Sequence, residues 1–140
     1  MINKDELQKL IDASNRLDEI VSLFCFTAGL CDKHNHSGCN RGMVESYHVI
    51  NDWDNLRKKD QDCIVANILY LDAGGSHTTY QEKFPIRLLY AKGNSSVVYN
   101  NWVEEVEEWK EKKRKKREER NRTKNLCQYN YLKSQPQNTL

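Results

Sequence analysis

No run of apolar residues in this chain approaches the roughly 20 that a helix needs to cross a bilayer, so a membrane-spanning helix is not expected. Glycine is scarce, with six in 140 residues. Nowhere does it gather into the loop whose backbone amides cradle a phosphate, and no strand–turn–helix elbow presents a nucleophile. None of the usual constellations of base, nucleophile and orienting group can be assembled from neighbouring motifs, and the expectation is a protein that is not an enzyme. The opening, Met1-Ile-Asn-Lys-Asp-Glu, lacks the basic-then-apolar pattern of an export signal. The chain is therefore expected to be cytoplasmic, with its five cysteines as thiols in a reducing compartment and not as a disulfide framework. An odd count agrees with that.

What is present is charge. Lys, Arg, Asp and Glu make up 30% of the residues against 38% hydrophobic, enough for one modest core, and the mean hydropathy is −0.88. Asn and Lys are abundant while Ala and Gly are scarce, a composition of the kind an AT-rich genome produces. The net charge of +2 says little until it is mapped along the chain.

The clearest element is the first. Asn3 can cap a helix with Glu6 three residues on, as in a capping box. Leu7, Leu10, Ile11, Leu17, Ile20, Val21 and Phe24 then recur at spacings of three and four, which places them on one helical face. Gly29 is a natural stop. The stripe is nearly heptad-like, though short for a coiled coil. A second helix is expected from about Met43 to Ile50. A third is expected from near Asp54 through Cys63, Ile64, Val65, Ile68, Leu69 and Leu71, ending at Gly74-Gly75, with Cys63 as a small core hydrophobe. Ile64, Ile68 and Leu71 would pack against Leu10, Leu17 and Val21. Pro85 opens either a short helix closed by Gly93 or a short β-hairpin around residues 86–99, since Val97, Val98 and Tyr99 favour strands.

The last helix changes character along its length. Val98, Trp102, Val106 and Trp109 give it an apolar stripe, which then stops. Residues 104–109 hold four glutamates and no base. Residues 110–124 hold ten Lys or Arg against three Glu, a net +7. Acid first and base last complements the helix dipole, and Glu108–Lys112 and Glu111–Lys115 are favourable i, i+4 pairs. The expected class is therefore mainly α, a small helical domain with a long charged C-terminal helix. Residues 1–109 would form the core, 110–124 a projecting basic end, and 125–140 a loosely ordered polar tail.

Two features could carry chemistry. Cys25, Cys31, His34, His36 and Cys39 place five potential metal ligands in fifteen residues, the mixture of thiolate and imidazole that zinc prefers. The spacing argues against them. Structural zinc sites staple two separated ligand pairs, whereas here all lie in one loop, and His34 and His36 point apart if extended. A turn at Asn35 would bring them together, or Cys25 could replace one. The second feature is the basic helix, in which Lys112, Lys113, Arg114, Lys116, Arg117 and Arg120 could contact phosphates or an acidic partner. The bases surround that helix and do not line one groove-facing side, the usual form of a solvated charged helix.

The expected function is binding through protein–protein interaction, as an accessory or inhibitory factor of a phage or mobile element, for example against a host nuclease system. The competing expectation is a nucleic-acid-binding module using the basic helix, with or without a zinc-stapled loop. A small metal-dependent enzyme comes third.

Overall fold

Asn3 starts the first helix as its spacing predicts. In the computed structural model, which describes residues 1–34, 41–72 and 74–135, the Asn3 side chain accepts a 2.8 Å hydrogen bond from the Glu6 amide at the head of α1 (Lys4–Thr27). The Glu6 carboxylate takes the Asn3 side-chain amide at 3.4 Å. The helix closes at Ala28, and Gly29, at φ 84°, turns the chain so that the Leu30 amide returns to the Cys25 carbonyl.

From there the structure departs from the mainly helical expectation. Residues 43–71 hold no α-helix. They form β1 (Met43–Asn51), a 3₁₀ turn at Lys58–Asp60 and β2 (Asp62–Leu71). β3 (His77–Pro85) completes an antiparallel sheet in the order β1-β2-β3, so the fold is an α+β mixture with a real sheet. Two features disguised the strands. β1 carries a bulge between Val44 and Ser46, which breaks its alternation of side chains. β2 is apolar on both faces, and such a run reads equally well as buried helix or buried strand. Gly74-Gly75 is a hairpin turn and not a helix stop: Asp72 Oδ1 accepts from the amides of Gly74 and Ser76, each at 3.0 Å.

No hairpin spans 86–99. Pro85 ends β3 and leads into a 3₁₀ turn, Ile86–Tyr90, and α2 (Ser95–Ser134) follows. Asn94 caps α2 by accepting from the amides of Ser96 and Val97. The helix is 40 residues long and runs through 125–134, part of the segment expected to be a loose tail. The chain divides into two units, Met1–Trp102 and Val103–Leu140, so the boundary falls inside α2, seven residues before the expected 109.

Within the first unit the core lies between one face of the sheet and the end of α1. Ile64, Ala66, Ile68 and Tyr70 of β2 are buried, with Phe84 of β3 and Val21 and Phe24 of α1. The Phe24 and Phe84 rings meet at 4.6 Å between centroids. Tyr99 and Trp102, at the start of α2, are also buried. The expected partners of β2 on α1 are only partly found there: Val21 is buried, but Leu10 is 59% and Leu17 37% exposed, and Leu71 is exposed too. On the other face of β2, Cys63 is fully buried and its thiol donates to the Asp60 carbonyl at 2.9 Å.

Asp60 itself is fully buried, and its two carboxylate oxygens take Arg57 Nε and Arg87 Nε, each at 2.7 Å. Burial pushes its carboxyl upward, but the hydrogen bonds from Arg87 and Arg57 outweigh that and hold it below the usual range. A depressed folded pKa means that the stabilisation is complete above the unfolded value of about 3.9 and is lost as pH falls through the folded value. Asp60→Asn is expected to cost about 3–5 kcal/mol at neutral pH by removing the buried negative charge and turning an amide donor toward a guanidinium, and to flatten the acid limb of stability below about pH 4. Urea melts of both proteins across that pH range check it. Ile68→Ala, at a fully buried position, is expected to cost about 2–5 kcal/mol in the same melts.

Candidate functional site

After Gly29 the chain crosses the inner face of the sheet, and one hydroxyl fastens it there. Tyr70 donates to the Leu30 carbonyl at 2.9 Å and accepts from the His34 amide at 3.3 Å. Gly42 closes the other side, its amide donating to the Cys31 carbonyl at 2.9 Å. A Cβ at Gly42 would lie 2.8 Å from both Ile68 Cγ2 and the Tyr70 ring, so glycine is required for so close an approach.

This crossing sets Lys33 and His34 over Glu82, which the alternation of β3 turns inward opposite Ala66. Glu82 is buried, with Lys33 Nζ 3.1 Å from one oxygen and His34 Nε2 3.6 Å from the other. The His34 ring stacks on Tyr80 at 3.7 Å with 7° between planes, and meets Tyr70 edge-on. Tyr99 lies beside Lys33. Burial alone would lower the Lys33 pKa, but the hydrogen bond to Glu82 raises it overall, so the ammonium stays charged at neutral pH. Burial raises the Tyr99 phenol against the opposing pull of Lys33. The arrangement neutralises a buried carboxylate, and its aromatic walls hold the imidazole in one orientation.

Three of the five candidate zinc ligands lie among the described residues. Cys25, on the last turn of α1, and Cys31 are both buried and close, the Cys31 amide reaching the Cys25 carbonyl at 3.4 Å. Burial pushes the Cys25 thiol up to about 12, with Cys31 and Glu82 adding to the effect. Burial raises Cys31 also, although Arg41 opposes it. His34 is turned to Tyr80 and Glu82. His36 and Cys39 lie outside the described residues. Among the described residues, no group of three or more His, Cys, Asp or Glu is placed to hold a metal ion. Burial also sends Cys63 up to about 11, and buried protonated thiols such as Cys25 and Cys63 are poor nucleophiles. Lys33, Tyr70, Tyr80, Glu82 and Tyr99 were not singled out by the sequence. Once β3 is recognised, the alternation Tyr80, Glu82, Phe84 is the signal that turns Glu82 inward.

The basic residues of α2 are all in the second unit and all exposed. Arg114 is engaged by Glu111 and Glu118 on its own helix, and Lys113 Nζ sits 4.4 Å over the Trp109 ring. Lys112, Lys116, Arg117 and Arg120 face solvent, and their spacing sets them along one broad side of the helix. Farther along, Leu126, Tyr129, Tyr131 and Leu132 are exposed.

An exposed apolar stripe of the first unit runs along α1. Every residue from Met1 to Glu19 is exposed, including Leu7 (48%), Leu10 (59%), Ile11 (44%) and Leu17 (37%), and the helix buries only Val21, Phe24 and Cys25. The periodicity that marked this face as core was right about the helix and wrong about what covers it. No helix is long and apolar enough to cross a membrane among the described residues.

No family model, curated protein or solved structure matches the chain.

Tyr70→Phe is expected to leave the Leu30 carbonyl and the His34 amide without their partner and to cost about 1–3 kcal/mol. A thermal melt of the variant, with near-ultraviolet circular dichroism reporting loosened aromatic packing, checks it.

Proposed function

We propose that the protein works by binding another protein through the apolar face of α1. The observation that carries this reading is the exposed row Leu7, Leu10, Ile11 and Leu17 on a helix whose first four turns bury nothing. Contiguous apolar surface of this kind on a folded domain marks an interaction site. A helix of about sixteen uncovered residues is also only marginally stable in water by itself, so it gains most from a partner that covers it. An apolar helical face of a partner protein, laid along α1, is the complementary surface. The accessory or inhibitory factor of a phage or mobile element inferred from composition is one setting for such binding.

Nucleic-acid binding through the basic part of α2 is the second reading, supported by its net +7 over residues 110–124. It ranks lower because Arg114 is already engaged by glutamates and Lys113 lies over the Trp109 ring.

Two variants separate the readings. Leu10→Glu with Leu17→Glu is expected to abolish retention of bound protein by the immobilised chain, whether that protein is foreign or a further copy, while leaving the circular dichroism of the fold unchanged. Lys113→Glu, Lys116→Glu and Arg120→Glu together are expected to leave it intact. Tight, salt-sensitive binding to DNA or RNA at physiological ionic strength, lost in the triple reversal, would overturn the ranking.

A further inference from the structure

The uncovered face of α1 has an internal symmetry that specifies its own partner. Its seam alternates spacings of three and four, Leu7, Leu10, Ser14 and Leu17, and continues into Val21 and Phe24, which are already buried. The free seam is therefore the stretch from Leu7 to Leu17, centred at Asp12. A two-fold axis at that level sets Leu7 against Leu17 of a second, antiparallel copy and Leu10 against Ser14, a large side chain opposite a small one in each inner layer. Ile11 then meets Ile11 on one flank, and Ala13 meets Ala13 on the other, where its small side chain lets the helices approach.

The charges follow the same axis. In this register Lys4 faces Asp18 of the second copy, and the symmetry repeats the pair at the other end. Both side chains are on exposed positions. Asp18 already accepts from the Tyr47 hydroxyl through one oxygen, and a carboxylate has a second. Parallel pairing offers neither charge contact, because it sets Glu6 against Ile11 and Asp18 against Ala13. It would also bring together the two folded units that bury the C-terminal end of each α1, whereas antiparallel pairing sends them to opposite ends.

We infer that the partner of the α1 face is a second copy of this chain, joined as an antiparallel helix pair from Leu7 to Leu17. The inference rests on the reading of α1 as a protein-docking face and supplies the identity of the partner. An interface of two short helices lies at or below the lower end of specific interfaces, about 1,200 Å² in total, so the dimer should be reversible with concentration.

Sedimentation equilibrium of the full chain, from low micromolar to several hundred micromolar, tests it. A monomer–dimer equilibrium is expected, lost in Leu10→Glu. Lys4→Asp places a carboxylate where the helix dipole welcomes one, so the helix is retained while the dimer weakens several-fold. Adding Asp18→Lys to Lys4→Asp is expected to restore dimerisation, because antiparallel geometry exchanges the two partners. A wild-type chain that stays monomeric throughout overturns the self-pairing, as does a double exchange that fails to restore it while circular dichroism stays unchanged. If the chain is monomeric and Leu10→Glu with Leu17→Glu still abolishes retention of a foreign protein, only the self-pairing fails. If neither measurement responds to α1, both readings fail.

Discussion

A three-stranded sheet has one strand hydrogen-bonded along both edges, and here that strand, β2, must also fill space on both faces. One face carries Ile64, Ala66, Ile68 and Tyr70 into the main core, and the other carries Val65 and Cys63, whose thiol meets the Asp60 carbonyl. Everything else in the first unit is placed by attachment to this strand. α1 docks through Phe24 on Phe84, beside the Ile64 position that pairs with it. The crossing after Gly29 is held by the hydroxyl of Tyr70. A small unit with so little apolar residue to spend places it where one strand can use it twice.

Among the described residues two carboxylates, Asp60 and Glu82, are nevertheless buried, and each is compensated differently. Asp60 takes one guanidinium on each oxygen and has no exposed surface. Glu82 takes an ammonium from Lys33 and faces the imidazole of His34, both more open to solvent. A buried ion pair adds little net stability compared with apolar packing, but losing one partner costs several kcal/mol. Both clusters therefore act as pins. Asp60 joins the segment before β2 to the turn after β3 through Arg87, and Glu82 fixes the crossing loop over β3.

Two helical surfaces remain exposed, one in each unit. On α1 the apolar stripe continues past the last buried turn, and its symmetry about Asp12 suits a copy of itself. On α2 the apolar stripe gives way after Trp109 to ten bases against three glutamates, and of those bases Arg114 is engaged by Glu111 and Glu118. The uncovered leucines of α1 are what favour the protein-binding proposal over nucleic-acid binding.

The capped start of α1, the apolar period along it, the glycine that ends it and the change from acid to base in α2 were all legible in the sequence, because each depends on neighbours within four residues. The Cys/His crowding was legible too, but the turning of His34 to Glu82 and Tyr80 was not. β1 and β2 were misread as helices for a related reason. A bulge hid one alternation, and burial on both faces erased the other, so only the pairing of Val44 with Ile68 and of Ile68 with Tyr80 decides that these residues are strands. Local chemistry determined where α1 begins and ends and how charge changes along α2. Tertiary structure alone decided which apolar faces are covered, since burial depends on residues far apart in the chain, and it left the face of α1 from Leu7 to Leu17 open.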